Sequence, residues 1–200
     1  MVAAITPRAG RIGPNAITRV ADVLRARIGV SATSALFEHA GLAHYLLQPP
    51  QSMVDETEVQ RLHGVLREDL GEAQAHAVAR DAGLRTADYL LANRIPKPVQ
   101  LLLKHLPARL ATRVLLAAIS RHAWTFAGSG RFAAQVGRPV VLTLRNNPLC
   151  RGLVSTAPSC DYYAATFERL FRTLVHPQAE IREVACEACG DVECRFEIHW

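Results

Sequence analysis

At 200 residues, half of them hydrophobic and a fifth charged, the chain is sized for one ordinary domain, or one domain with an appended helical arm, and can bury a core. Collagen, long coiled coil and wholesale disorder are excluded. The net charge of +5 conceals an asymmetry: no Asp or Glu occurs from Tyr89 to Cys160, where ten Lys or Arg do, leaving the remainder at −5. A basic middle points to an anionic ligand, an acidic protein partner or a nucleic acid; a solvated arginine-rich surface is the plain alternative.

The first thirty residues carry Pro7, Gly10, Gly13 and Pro14 and build no secretory apolar stretch, so a cytoplasmic location is expected. Ile17, Val20, Ala21, Leu24 and Ile28 have helical spacing after Asn15, with Gly29 closing the run, and a short helix follows over Ala32 to Ala40. Pro49-Pro50 is a break. From Asp55, the positions Val59, Leu62, Leu66 and Leu70 predict an amphipathic helix, followed after Gly71 by an alanine-rich one to about Asn93. Ile95-Pro96-Lys97-Pro98 is a second break, and a helix started by Pro107 runs to near Trp124. The longest uninterrupted apolar run, Val114–Ile119, lies in it and is far short of the about 20 residues of a membrane span.

The period then changes. Phe126 and the stretch Arg131 to Val136, joined by Gly128-Ser129-Gly130, predict a hairpin, and Val140 to Leu144 a strand stopped at Asn146-Asn147-Pro148. Tyr163, Phe167, Leu170, Phe171 and Leu174 restore helical spacing until Pro177, and two strands finish the chain, Glu180 to Ala185 and Cys194 to His199. The expected class is α+β: a helical N-terminal region over 1–95, then over 96–200 an antiparallel sheet with one long crossing helix, the two forming one compact unit.

Three of five cysteines, Cys186, Cys189 and Cys194, crowd into the last turn, where a reducing compartment favours metal over disulfides. A tetrahedral zinc ion suits thiolates held there, with Cys150, Cys160 or the carboxylate of Glu183 as candidates to complete the set. Cys160, Glu183, Cys186 and Cys194 would tie the start of the crossing helix to both final strands, and Cys189 could replace any one of them. A CxxC redox pair is the competing reading.

The stretch from Ser159 to Ile198 closely resembles the end of a 4-vinyl reductase domain, on the spacing Cys-x22-Glu-x2-Cys-x7-Cys with Gly-Asp before the last Cys; weaker similarity runs back to about Pro107. The resemblance implies structural zinc on Cys160, Glu183, Cys186 and Cys194, and a ligand-binding fold shared with haem-based nitric-oxide sensors and vesicle-tethering subunits. It also implies, by analogy, a homodimer. A free-standing chain with a helical first half is similar to members of that family serving bacteriochlorophyll biosynthesis. Two activities are attached to those: carriage of a porphyrin or Mg-porphyrin between the magnesium chelatase large subunit and the Mg-protoporphyrin methyltransferase, and reduction of the 8-vinyl group of a (proto)chlorophyllide precursor.

A hydride-transferring reductase needs a nicotinamide, flavin or iron–sulfur site. The only dinucleotide-like pattern, Gly128-Ser129-Gly130-Arg131-Phe132-Ala133, lacks a following helix and an acidic partner. A carrier needs apolar walls and a cationic rim for a plate with two carboxylates. Trp124, Phe126 and Phe132 are candidate walls, Arg121 and Arg145 rim residues, and His122 an axial ligand for magnesium; as plain core and surface residues they would do none of this. No nucleic-acid-binding motif accompanies the arginines, so no nucleic-acid partner is expected.

Overall fold

The computed structural model describes residues 10–200; the reading of the first nine residues, Pro7 included, lies outside them. In chain order the elements are β1 (Arg11–Ile12), α1 (Asn15–His39), α2 (His44–Leu47), β2 (Val54–Asp55), α3 (Glu56–Leu70), α4 (Glu72–Asn93), α5 (Lys97–His105), α6 (Ala108–Arg121), α7 (Trp124–Ala127), β3 (Arg131–Gln135), β4 (Val140–Arg145), α8 (Asp161–Leu174), β5 (Glu180–Ala185) and β6 (Cys194–His199). The α+β expectation holds. Helices fill the first half, and an antiparallel sheet of order β3-β4-β6-β5 carries α8 across it.

Local chemistry sets the helix ends. Gly29 has φ 82 and breaks α1 into the two predicted segments. The Asp55 carboxylate accepts from Thr57 N at 2.8 Å and starts α3. Gly71, at φ 76, separates α3 from α4. The alanine-rich sequence of α4 has a packing reason: α4 lies against α8 so closely that a Cβ on Gly83 would strike the Tyr162 carbonyl oxygen. Thr86 Oγ1 and Tyr162 OH meet across that contact at 2.9 Å. Because α4 comes from the first half and α8 from the second, the composition change near residue 95 does not separate two cores.

Two expectations are corrected. Phe126 is not in a strand: Phe126 N and Ala127 N both donate to Ala123 O in the helical turn α7, and the hairpin is β3–β4, with Phe132 opposite Leu144. The Pro96–Pro98 break also starts α5, because proline is tolerated in a first helical turn, where its missing N–H has no intrahelical acceptor.

Strand alternation aims the functional residues. On β6, Cys194, Phe196 and Ile198 point inward and are buried; on β5, Ile181 and Glu183 pair with Ile198 and Phe196 on that same face. A bulge between Glu183 and Ala185 then leads the chain into Cys186. No helix of the described residues is long and apolar enough to cross a membrane.

Candidate metal centre and aromatic layer

Four sulfurs converge below the sheet. Cys160 is the residue before α8, Cys186 follows β5, Cys194 begins β6, and Cys150 lies in the loop after β4; all four are buried. Their metal-ligating atoms lie within 4.8 Å of one another. Cys150 Sγ is 3.6 Å from Cys186 Sγ and 3.7 Å from Cys194 Sγ, while Cys160 Sγ is 3.9 Å and 3.5 Å from the same two, and Cys150 to Cys160 is 3.0 Å. A tetrahedral zinc ion with Zn–S of about 2.3 Å sets sulfurs about 3.8 Å apart, so the donor set fits a divalent soft-ligand ion in both chemistry and spacing.

The loop that delivers Cys150 is fixed from a distance. Asn146 N and Asn147 N donate to the Glu187 carboxylate at 2.6 and 2.7 Å, and Asn147 Oδ1 accepts from Leu149 N at 3.0 Å. The fully buried Asn147 points Nδ2 into the sulfurs, 3.1 Å from Cys160 and 3.3 Å from Cys194. Arg151, next to Cys150, reaches Glu56 Oε1 on α3 at 2.7 Å. That carboxylate also accepts from Ser129 N and Ser129 Oγ, each at 2.7 Å. The Gly128-Ser129-Gly130 loop thus wraps a carboxylate of its own chain and runs directly into β3.

Glu183 sits beside the sulfurs. Its Oε2 accepts from Cys160 N at 2.7 Å, at the α8 N-terminus, and its Oε1 is buried with no hydrogen-bond partner. Burial, then repulsion from Cys186, pushes its carboxyl up to about 9. Burial likewise raises the Cys160 thiol, and hydrogen bonds from Cys150 and Cys160 hold Cys186 below the ordinary thiol value. The group therefore divides into thiol donors and a thiolate acceptor, the charge distribution a cation would stabilise. Cys189 is exposed at the end of a short 3₁₀ turn, outside the four-sulfur group. The residues under-read from sequence are Cys150, one candidate among three, and Asn147, which reads there only as a strand stop; an amide three residues before a cysteine is the available signal.

The candidate pigment residues are gathered only in part. Phe126 and Phe132 meet edge to face with centroids 5.2 Å apart, and both abut Phe167, at 5.9 and 6.0 Å. Tyr163 OH donates to Phe126 O at 2.8 Å and closes this layer over α8. Arg121, His122 and Trp124 are exposed at the α6–α7 junction, one turn before Phe126. Arg145 is elsewhere, its Nε 2.7 Å from Glu193 Oε2. The aromatic layer is packed. Two surface concavities, of about 600 Å³ by Arg11 and Tyr45 and about 520 Å³ by Lys97 and Leu101, touch neither phenylalanine.

Comparison with known proteins bears on this geometry. The 4-vinyl reductase domain family matches residues 140–200, the stretch that carries all four buried cysteines. The bacteriochlorophyll synthase 23 kDa chain of Cereibacter sphaeroides is 46% identical over 190 residues, 95% of this chain and 91% of the relative. The chain belongs to that family. The protein of the same description from Rhodobacter capsulatus is 42% identical over 94% of this chain and 87% of its own. Among solved structures, an H-NOX protein superposes with TM-score 0.60 at 14% identity, covering 94% of this chain and 95% of that one. An unliganded Fe(II) H-NOX mutant from K. algicida gives 0.62 at 10%, covering 94% and 96%. These establish a shared fold, as the resemblance implied.

Proposed function

We propose that the protein serves bacteriochlorophyll biosynthesis by holding a porphyrin or magnesium-porphyrin and passing it from the magnesium chelatase large subunit to the Mg-protoporphyrin methyltransferase. The observation that carries this reading is identity of 46% across nearly the whole chain to a bacteriochlorophyll synthase 23 kDa chain. The aromatic layer under α7 and the acid-free stretch above it supply the two chemistries of a pigment with an apolar plate and two carboxylates. The layer is closed, so the α6–α7 segment has to part from Phe126 and Phe132 to admit the plate. Trp124, on that segment, reports the event through fluorescence quenching.

Zinc is the proposed structural ion, held by Cys150, Cys160, Cys186 and Cys194, with the partnerless Glu183 Oε1 as an adjacent oxygen donor. Such an ion joins α8, β5, β6 and the β4–α8 loop in a closed site with no chemical step of its own. Zinc-edge X-ray absorption should show four sulfurs near 2.3 Å; three sulfurs and one oxygen would put Glu183 in the set in place of a cysteine.

The transfer itself is testable directly. Protein preloaded with magnesium-protoporphyrin should support single-turnover methylation faster than the same concentration of free pigment. Equal rates would remove the carrier role.

A further inference from the structure

Solvent faces of soluble helices are ordinarily polar. On α5 the buried positions are Gln100 and Leu103, and helical geometry sets Leu101 and Leu102 on the opposite side, 60% and 56% exposed. On α6 the buried positions are Ala111, Thr112, Leu115 and Leu116, which turns Leu110 and Val114, one turn apart, outward at 45% and 44%. Six of the thirteen exposed large hydrophobic residues fall between Val99 and Trp124, a density that scattered surface residues do not explain.

The charges around these residues are all of one sign. Lys97 and Lys104, seven residues apart, flank the apolar line of α5, and Arg109 and Arg113, four apart, flank that of α6. None of the four takes part in the ion pairs of the described residues, in contrast to Arg145, Arg151 and Arg169. Lys97, Leu101 and Lys104 border the shallow concavity of about 520 Å³, wide enough for a phosphate headgroup between two ammonium groups.

We infer that the α5–α6 hairpin is a docking face for an anionic phospholipid surface. Leu101, Leu102, Leu110 and Val114 enter the headgroup–acyl boundary while the flanking cations lie at phosphate level. Interfacial helices work this way, with apolar area and electrostatic attraction acting together and neither sufficient alone. An acidic protein groove would match the cations, but it is the weaker fit to a convex line of leucines with no aromatic anchor among them.

The test is co-sedimentation of the full chain with vesicles of phosphatidylcholine alone and of phosphatidylcholine with half phosphatidylglycerol. We expect binding to the anionic vesicles, at least fivefold less to the neutral ones, and a decline on raising NaCl to 0.5 M. The double variant Leu101→Ser/Leu102→Ser, with an unchanged thermal melt, should lose most of the binding; so should Lys97→Glu/Lys104→Glu. Equal binding to both vesicle types, binding unaffected by both double variants, or no binding to anionic vesicles would overturn the assignment. In the last case, loss of self-association in the leucine variant would give the face to a second copy of the chain.

Discussion

Cys150, Cys160, Cys186 and Cys194 come from four separate stretches of chain and are all buried, whereas Leu101, Leu102, Leu110 and Val114 come from one stretch and all face outward. At the sulfur corner every side chain is held by something else in the fold: Asn147, Glu183, Glu187 and, through Arg151, Glu56. On the hairpin nothing in the chain leans on the exposed leucines. A change in the first region should therefore be felt as stability, and one in the second only as a lost contact with something outside the molecule.

The sharpest way to break this contrast is to disarm the corner. Cys194→Ser, or chelation of the wild type, should lower stability in urea by about 4 kcal/mol, the linkage expected when the ion saturates the folded site about a thousandfold above Kd. Unchanged melting on chelation would show that the corner needs no ion.

Acid should act next. His63 on α3 is buried with no partner for Nε2, and burial, then Arg67, lowers its pKa from 6.5 to about 3. Between those values the unfolded chain binds a proton that the folded chain does not. Stability should therefore fall as the pH is lowered, by about 3 kcal/mol from pH 6.5 to 4.5. His63→Gln should flatten that part of the profile, as read by denaturant melts at each pH.

A smaller loss is expected at the helix seam. Gly83→Ala forces α4 off the Tyr162 carbonyl and should cost about 1–3 kcal/mol, measured by thermal melting. Smallest of all, Leu101→Ser/Leu102→Ser should stay within about 0.5 kcal/mol of wild type. A large loss there would show that the hairpin face is part of the core after all.

The sequence is legible where the information is local. Strands β5 and β6 fall at Glu180–Ala185 and Cys194–His199 as read, because alternation and the cysteine turn delimit them. Gly29 and Gly71 mark helix breaks that only a positive φ explains. Phe126 is misplaced by its pattern because an aromatic beside a glycine-rich turn suits either a strand or a tucked helical turn, and Tyr163, 37 residues away, decides between them. The corner is half legible. Cys160, Cys186 and Cys194 follow from spacing, but Cys150 is delivered by a loop anchored through Glu56 and Arg151, 95 residues apart, a contact no local pattern encodes.

The most direct test of the account is an equilibrium titration of the zinc-loaded protein with magnesium-protoporphyrin. A Soret shift saturating with Kd below about 10 μM, together with quenching that Trp124→Phe abolishes, is the predicted result. Unaltered pigment absorbance throughout would contradict the claim that this fold holds a tetrapyrrole.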